Sequence, residues 1–300
     1  MNKEPKVYII LVNYNGWRDT LECLNSILKN DYHNYHVIIC DNASQDESIK
    51  KIIQWKNLHE NFSMELIQST INGGFSYGNN VGITLGLKRN DVDYFWLLNN
   101  DTVIQHDALT VLINYMQHNL KIGIAGSCLK YYDKKNIVQG YGGKYNKFSG
   151  RSTHITDLKK INDIDYIIGA SLIISKIFIK DIGLMNENYF LYYEELDLAL
   201  RAKKKGYGIS CVNNSIVYHK EGASIGSSNK LKNKSNLSDF YLQRNKILIT
   251  KKFFPKYLPS VYFFMVLGIL RRLLLGEKTK AFNLLKIILG KRDWHGKTIS

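Results

Sequence analysis

The feature that most constrains this chain is an apolar run that ends abruptly in polar residues. Residues 94–98 are all aromatic or aliphatic, and Asn99, Asn100 and Asp101 follow them directly. Continuous apolar character predicts a central strand covered on both faces, as in a parallel sheet. Open α/β sheets bind ligands where such strands end, and a carboxylate there can hold a divalent cation against a diphosphate. The alternative is a plain turn, in which Asn and Asp are common.

The first hundred residues alternate strand-like and helix-like segments. The predicted strands cover residues 7–12, 36–40, 66–68 and 95–98. Helices are predicted over Trp17–Leu28, after a capping box formed by Ser44 and Glu47, and from about Asn79 to residue 87. This order predicts a doubly wound α/β fold, with a mostly parallel sheet flanked by helices and joined by right-handed crossovers.

The rest of the chain continues this pattern less regularly. We predict helices over residues 109–119 and 196–205 and strands over residues 122–125 and 212–218. Residues 167–175 are apolar, whereas residues 130–163 are rich in Tyr, Lys, Gly and Asn and predict a mobile or hairpin-like insertion. The main domain is therefore predicted to cover residues 1–235, with residues 236–300 as a helical extension.

Charge is distributed unevenly along the chain, whose net charge is +15. Residues 201–300 hold 21 Lys and Arg against 4 Asp and Glu, whereas residues 1–200 hold 20 against 22. A slightly acidic body argues against a protein that wraps nucleic acid along its length, and the basic end predicts one cationic face for an acidic partner. Anionic lipid is the leading candidate, at roughly 1 kcal/mol for each Lys or Arg near the surface.

The C-terminal region predicts three helices, over residues 237–254, 260–275 and 281–289. Its apolar core, residues 261–270, is about half of the ~20 residues that span a bilayer, and Arg271 and Arg272 follow it. We expect a basic, amphipathic extension that lies on an anionic membrane surface rather than crossing it. A helical cap on the domain, or a contact between two copies in a homodimer, is the alternative.

The cysteines and the N-terminal segment indicate the compartment. The four cysteines are far apart and form no CxxC pair, which predicts reduced thiols rather than a disulfide framework or a zinc site. Residues 7–12 are too short an apolar run for a secretory signal. We therefore expect a cytoplasmic protein, peripheral at the inner face of the cell membrane.

Three further segments carry groups suited to a nucleotide. Asn13 and Tyr14 end the first predicted strand, where an aromatic ring can stack on a base, although packing is the commoner role of such a residue. Asp41 ends the second and can accept from a base or a ribose, or simply cap a helix. Asn72 and Gly73 open a glycine-rich loop whose backbone N–H groups can approach an anion. The loop lacks both the Walker sequence and GxGxxG, which disfavours a dehydrogenase.

Acidic residues and a histidine complete the set of candidates. Glu194 and Glu195 follow an aromatic run that can form a sugar-sized pocket, and a carboxylate there can act as a general base. Their alternative role is to complement a helix dipole. Asp197 and Arg201 are spaced as an ordinary helical ion pair. His219 ends a late strand and is a candidate second ligand to a cation held by Asp101.

Taken in chain order, these segments resemble glycosyltransferase family 2, the inverting GT-A group, and especially its rhamnosyltransferase-like bacterial members. The resemblance covers about residues 5–250. The segments that carry it are VNYN, DNASQD, NGGFSYGNN, LLNNDT, GAS, GLMNENYFLYYEELDLALRAKKKGY, YHKEGAS and YLQRN. It implies a GT-A-type, Rossmann-like fold, a nucleotide-sugar donor and a Mg²⁺ or Mn²⁺ cofactor.

The resemblance also implies roles for individual residues. Asp101 would bind the cation on the donor diphosphate, and His219 would be a further metal or diphosphate contact. Glu195 stands where the family has the Asp that acts as general base, so either Glu194 or Glu195 can take that role here. Asn99 replaces the first acid of the DXD-type motif. The nucleotide-sugar would be bound by Asn13, Tyr14, Asp41, Asn72, Gly73, Asn79, Asn99 and Asn100.

We therefore expect an inverting glycosyltransferase that moves a sugar from a donor such as dTDP-rhamnose or a UDP-hexose to a glycan or lipid-linked acceptor in bacterial cell-surface polysaccharide biosynthesis. A non-catalytic sugar-nucleotide or glycan-binding relative is one alternative, but it would need neither Asp101 nor Glu195. A basic nucleic-acid-binding protein is another, and it would carry cations through the body as well as the end. We expect no nucleic-acid partner.

Overall fold

The computed structural model describes residues 4–220 and 234–291. The helices are α1 (Trp17–Leu28), α2 (Ser48–Leu58), α3 (Gly74–Arg89), α4 (Ala108–His118), α5 (Lys176–Ile182), α6 (Glu194–Lys204), α7 (Asn236–Phe253), α8 (Leu258–Leu274) and α9 (Lys278–Ile288). The strands are β1 (Val7–Asn13), β2 (Tyr35–Asp41), β3 (Met64–Gln68), β4 (Tyr94–Asn99), β5 (Thr102–Ile104), β6 (Ile122–Tyr131), β7 (Val138–Gly140), β8 (Gly142–Asn146), β9 (Arg151–Ile155), β10 (Ser171–Ser175) and β11 (Gly208–His219).

The main sheet confirms the predicted, mostly parallel α/β architecture, and it contains antiparallel strands that the sequence pattern did not indicate. Among the described residues it has nine strands, in the order β3-β2-β1-β4-β10-β6-β11-β5, with β7 paired to β6. The first four strands are parallel, as predicted for the doubly wound half. Strand β10 runs antiparallel to both β4 and β6. The sheet is therefore mixed beyond β4, because β10 enters between two strands in the opposite direction.

Alternate residues of the central strands face two separate apolar cores. Ile9 and Trp96 lie in the core that α1, α2 and α4 cover. Ile10 and Phe95 lie in the core on the other face, which contains residues of α3, α5, α6 and α7. Burial on both sides explains the continuous apolar run of β4. The four cysteines are buried and free.

Helix α3 lies unusually close to the sheet and starts earlier than predicted. Its first residue is Gly74, so Asn79 is inside the helix rather than at its beginning. A Cβ added to Gly78 would lie 2.7 Å from the Val12 side chain, and one added to Gly82 would lie 2.8 Å from Ile10. The glycines therefore permit a close helix–sheet approach, which brings the start of α3 to the edge where β1 and β2 end.

The predicted capping box before α2 is wrong. The helix begins at Ser48 after Glu47, and neither Glu47 nor Ser44 caps it through a side chain. Instead Asp46 accepts a hydrogen bond from the Ser48 amide at 2.9 Å. The Ser44 hydroxyl is bonded to Asp41 at 2.6 Å, so this serine belongs to the loop at the end of β2.

The insertion over residues 130–163 contains the hairpin β8–β9, in agreement with the prediction. Its turn rests on the C-terminal helices. The Ser260 hydroxyl lies 2.8 Å from the Phe148 carbonyl oxygen, and the Phe148 and Phe264 rings are 5.6 Å apart. The hairpin therefore connects the insertion with α8.

The C-terminal helices form a third apolar cluster against the body, with members from α7, α8 and α9. Within it, Arg272 and Asp239 form a buried ion pair at 2.6 Å. The length argument from the sequence is corrected: in the described part of the chain, one helical segment, Pro255–Leu274, is long and apolar enough to cross a membrane, by length and composition only. The predicted boundary near residue 235 stays a prediction.

Candidate active site

The register of the parallel strands aligns the polar residues at their carboxyl ends. Asn13 lies opposite Asp41 between β1 and β2, and Val12 lies opposite Asn99 between β1 and β4. Because these ends meet at one edge of the sheet, side chains far apart in the sequence converge there. This is the edge at which open α/β sheets bind ligands.

Asp41 is the centre of a hydrogen-bonded loop. One carboxylate oxygen accepts from the Ser44 amide at 2.9 Å, and the other accepts from the Ser44 hydroxyl at 2.6 Å and from Asn13 Nδ2 at 2.7 Å. The residue is 1% exposed, whereas Tyr14 beside it is 37% exposed. Tyr14 thus presents an open ring next to a buried, fully bonded carboxylate.

Thr20 of α1 joins two candidates that the sequence did not link. Its hydroxyl donates to Asn13 Oδ1 at 2.8 Å and accepts from Asn100 Nδ2 at 2.9 Å. Asn13 and Asn100 are therefore held by a common buried partner. Sequence reasoning missed Thr20, because a threonine one turn into an amphipathic helix carries no local signal.

The glycine-rich loop is held by the Asn72 side chain and packs closely against the backbone of Phe190. Asn72 Oδ1 accepts from the Gly74 amide at 3.1 Å, and a Cβ added to Gly74 (φ +85°) would lie 2.2 Å from the Phe190 carbonyl oxygen. Gly73 precedes the first turn of α3. Asn79 is 1% exposed and donates to the Phe75 carbonyl oxygen at 2.9 Å, so this amide hydrogen is used within the helix.

Asp101 and His219 come together although they are 118 positions apart in the sequence. Asp101 Oδ1 is 3.3 Å from His219 Nε2, and His219 Nδ1 is 2.9 Å from Gln139 Oε1. A bond from Nδ1–H to Gln139 leaves the Nε2 lone pair directed toward Asp101, which suits a shared cation. Asn99 Nδ2 lies 3.5 Å from the same nitrogen.

This donor set is small. No cluster of three or more His, Cys, Asp or Glu suited to a metal occurs in residues 4–220 and 234–291. One carboxylate and one imidazole nevertheless fit Mg²⁺ or Mn²⁺ if phosphate oxygens and water complete the coordination. Sequence reasoning missed Gln139, since nothing in the insertion marks it as a partner of His219.

The end of β11 is anchored to α1 just after His219. Lys220 Nζ is 2.6 Å from Asp19 Oδ1 and 2.5 Å from Glu22 Oε2, and the Lys220 amide donates to the Asp101 carbonyl oxygen at 3.1 Å. These contacts fix the backbone on both sides of the Asp101–His219 pair. The neighbouring motif over residues 221–224 lies outside the described residues.

Glu195 reaches the same edge from the first turn of α6. Its Oε1 accepts from the Gly169 amide at 3.1 Å, and the Asn99 amide donates to the Ala170 carbonyl oxygen at 3.0 Å. Two hydrogen bonds, one to Gly169 and one to the adjacent Ala170, therefore link the Glu195 carboxyl group to the end of β4. Burial raises the pKa of Glu195 to about 7, which is near the operating pH of a general base.

Glu194 lies in a different environment from its neighbour. It is 2% exposed, and no group among the described residues hydrogen-bonds its Oε2. Burial, together with the nearby Glu195 carboxylate, raises the pKa of Glu194 well above its usual range. A carboxyl group that keeps its proton cannot take another, so the raised pKa of Glu194 makes Glu195 the better candidate for a base. The predicted Asp197–Arg201 pair is present at 2.7 Å.

The aromatic segment before α6 is strained. Phe190, Tyr192 and Tyr193 have positive φ angles of 60°, 71° and 75°. Positions of this kind cost about 1–3 kcal/mol each for residues with a side chain and persist only when their surroundings enforce them. The strain lies immediately before Glu194 and Glu195.

Comparisons with known proteins find similar sequences and structures. The family model described as Glycosyl transferase family 2 matches residues 8–182. A hexosyltransferase of low-salt glycan biosynthesis, Agl10 of Haloferax volcanii, is 26% identical over 67% of this chain and 62% of its own length. The rhamnosyltransferase WbbL of Escherichia coli K12 is 24% identical over 67% of this chain and 78% of its own length.

Among solved structures, the mannosyltransferase PcManGT from Pyrobaculum calidifontis, in complex with GDP-Man and Mn²⁺, is similar to this chain. It has a TM-score of 0.62 at 12% sequence identity and covers 99% of this chain and 89% of its own. At that identity the likeness shows the fold, which is of the GT-A type predicted from the sequence.

Proposed function

This chain belongs to glycosyl transferase family 2, and we propose that it is an inverting, divalent-cation-dependent glycosyltransferase that uses a nucleotide-sugar donor. The single observation that carries the proposal is the position of Glu195. Its carboxyl group is bonded to Gly169, whose neighbour Ala170 is bonded to Asn99 at the end of β4. The adjacent residues Gly169 and Ala170 thus link the proposed base to the sheet edge at which the diphosphate would bind.

In the proposed reaction, the acceptor hydroxyl oxygen attacks the anomeric carbon of the donor. The bond from that carbon to the diphosphate oxygen breaks, and the nucleoside diphosphate leaves. Glu195 takes the proton of the attacking hydroxyl, and attack from the face opposite the leaving group inverts the configuration. No covalent sugar–enzyme intermediate is required.

The cation ligands in this proposal are Asp101 and His219. A divalent cation at this position would neutralise charge that develops on the departing diphosphate. The Gln139 contact supports the assignment because it directs the lone pair of His219 Nε2 toward Asp101. The similar mannosyltransferase was solved in complex with Mn²⁺, which is consistent with the same choice of ion.

For the donor, we propose that Tyr14 stacks on the base at the edge that Asp41 and Asn13 organise. The exposed ring of Tyr14 and the bonded loop beneath it support this role. The relatives are named as a hexosyltransferase and a rhamnosyltransferase. On that basis we propose a hexose or rhamnose donor and a glycan or lipid-linked acceptor in the synthesis of a bacterial cell-surface polysaccharide.

We also propose that the C-terminal helices hold the protein at the cytoplasmic face of an anionic membrane. Residues of α8 that are exposed recur at helical spacing and are apolar, and they include Phe263, Leu267, Leu270 and Leu274. The surrounding region carries the excess of Lys and Arg found in residues 201–300. A lipid-linked acceptor would be concentrated at such a surface.

The deciding experiment is a panel of nucleotide sugars, assayed for sugar transfer and for release of nucleoside diphosphate with Mg²⁺ and with Mn²⁺. Wild type should turn over at least one donor, and the configuration of the product at the anomeric carbon should be inverted. Glu195→Gln is the matched control, because it keeps the shape of the side chain without the base. Donor binding without turnover by wild type would favour the non-catalytic relative instead.

A further inference from the structure

Helix α7 holds the strained segment that precedes the proposed base. Asn245 is fully buried, and its Nδ2 lies within hydrogen-bond distance of three backbone carbonyl oxygens of that segment. The distances are 2.8 Å to Tyr189, 2.7 Å to Leu191 and 3.0 Å to Tyr192. One amide group thus contacts the carbonyl groups on both sides of Phe190 and that of Tyr192. Phe190 and Tyr192 are two of the residues with positive φ angles.

The backbone that Asn245 contacts has a conformation that is rare for aromatic residues. The Leu191 amide lies 2.6 Å from the Tyr189 carbonyl oxygen across Phe190, which has φ 60° and ψ −51°. This is a γ-turn of the rarer, strained hand. Without hydrogen bonds from other elements, this segment would adopt a less strained backbone conformation.

Other contacts place the same segment between the glycine-rich loop and α7. The Phe190 carbonyl oxygen accepts from the Phe75 amide at 2.8 Å, in the first turn of α3. The Phe190 ring stacks on the Tyr241 ring of α7 at 4.6 Å. Arg244 Nη1 is 2.7 Å from the Asn188 carbonyl oxygen. The segment therefore touches the glycine-rich loop on one side and α7 on the other.

We infer that Asn245 is a positioning residue for sugar transfer: by holding Tyr189, Leu191 and Tyr192, it sets the first turn of α6 and with it the carboxyl group of Glu195. The inference rests on the proposed function, in which Glu195 is the base. In this inference α7 contributes to sugar transfer indirectly, because it positions the base without contacting the donor. Tyr193 connects the held segment to α6, because it is the N-cap residue directly before Glu194.

The test compares Asn245→Asp and Asn245→Ala with wild type. Aspartate keeps the shape but turns the donor into an acceptor that faces three carbonyl oxygens. Alanine removes the donor and also Oδ1, which accepts from Arg244 Nη1 at 3.0 Å. The matched control is Asn236→Ala, which changes an asparagine at the start of the same helix that is not buried. Circular dichroism and thermal unfolding first establish that each variant folds. If the aspartate variant does not fold, the alanine variant alone is compared with wild type.

We expect kcat to fall by about 10²-fold in Asn245→Ala, as for other small displacements of a reacting group. The donor KM should stay within about twofold of wild type, because the three carbonyl groups that Asn245 contacts belong to none of the proposed donor-binding residues. The acidic limb of the pH profile should move, since Glu195 leaves a site where it faces Glu194 and Tyr166. Amides of residues 190–196 should exchange hydrogen faster, and Asn236→Ala should match wild type in all of these.

A folded Asn245→Ala variant with wild-type kcat, pH profile and amide exchange would overturn the inference. Failure of the proposed function gives a different result, because wild type itself would then transfer no sugar from any donor in the panel. In that case amide exchange decides whether Asn245 positions Glu195. Faster exchange confined to residues 190–196 supports it, and unchanged exchange overturns it.

Discussion

The Gly169 amide donates to Glu195 Oε1 at 3.1 Å, and this contact joins the proposed base to the edge of the sheet. A Cβ added to Gly169 would lie 2.3 Å from the same oxygen. Such a distance is far shorter than a van der Waals contact. A residue with a side chain at position 169 would therefore displace the Glu195 carboxyl group.

Gly169→Ala should reduce turnover by about 10²-fold, because the new methyl group displaces the Glu195 carboxyl group from its reacting position. Donor binding should be retained, since the glycine-rich loop and the Asp41 loop are unchanged. Steady-state kinetics at saturating donor and a nucleotide-binding titration measure the two effects separately.

The control is Gly208→Ala, at the start of β11. Its added Cβ would meet mainly the end of the Ile122 side chain, at 2.7 Å, which can rotate away. This variant should therefore keep wild-type turnover. Wild-type turnover in Gly169→Ala would argue that Glu195 does not act where the structure has it.

Glu195→Gln should lower turnover by roughly 10²-fold or more, in line with loss of a general base. Glu194→Gln should have a much smaller effect, because burial and Glu195 raise the pKa of Glu194 well above its usual range, and an amide resembles a protonated carboxyl group. Comparison of kcat for the two variants decides between them. If the Glu194 variant is the weaker enzyme, the assignment of the base is reversed.

Activity should depend on pH through the ionisation of Glu195. A base works only when deprotonated, and burial raises the pKa of this group to about 7. Turnover should therefore be high above pH 7 and fall as the pH drops through about 7. The kcat–pH profile of wild type measures this limb, and the residual activity of Glu195→Gln should lack it.

Metal dependence should follow the Asp101–His219 pair. Asp101→Ala should abolish transfer and weaken diphosphate binding, and EDTA should inactivate wild type. Gln139→Leu tests the orientation of His219, and loss of this outer partner should weaken Mn²⁺ binding by about 10–100-fold. Mn²⁺ titrations of activity and of nucleoside diphosphate binding measure both. Full activity of Asp101→Ala, or of wild type in EDTA, would argue against a cation at this position.

Local sequence patterns predicted the parallel half of the fold and the location of the candidate site. The apolar run of β4 and the polar residues that end β1 and β2 were sufficient, because parallel strands end at a common edge. The antiparallel direction of β10 could not be predicted in this way. Direction depends on which neighbours a strand finds, and an apolar segment pairs equally well in either direction.

Partners that are distant in sequence were beyond local patterns. Thr20 and Gln139 carry no motif-like signal, yet each contacts a candidate residue. Asn245 belongs to the YLQRN segment, but that segment did not indicate its contacts with the backbone before Glu194. Ser44 shows the opposite error: a helix-capping pattern was present, but the hydroxyl is bonded to Asp41 instead. Such choices depend on tertiary contacts, which the sequence does not display locally.

The C-terminal helices should bind anionic membranes through the outer face of α8. Deletion of the chain from about residue 255 is the simplest test, but α8 and α9 cover Tyr241 and Leu191 in a shared apolar cluster. Deletion would expose that cluster and confuse folding with binding. Substitution of exposed residues is cleaner: Phe263, Leu270 and Leu274 are 60%, 54% and 88% exposed.

The triple variant Phe263→Ser, Leu270→Ser, Leu274→Ser should keep nucleotide binding and lose most co-sedimentation with anionic vesicles. Leu120→Ser is the matched control, since Leu120 is 83% exposed but lies between α4 and β6. Wild type should bind anionic vesicles more than neutral ones, because the region is basic. In 1 M salt, where the screening length is about 3 Å, binding should fall but not vanish, because the apolar face is not screened.

Resistance of the native membrane-bound protein to alkaline carbonate separates the two ways in which α8 can meet a bilayer. An interfacial helix is released by carbonate, whereas a spanning helix is retained, and Pro255–Leu274 has the length and composition for either. We expect release, because one face of α8 is covered by α7 and α9 and Arg272 is paired with Asp239 inside that contact. Retention would make α8 a membrane anchor. Equal binding to anionic and neutral vesicles, or none to either, would instead make these helices a cap on the domain or a contact between two copies of the chain.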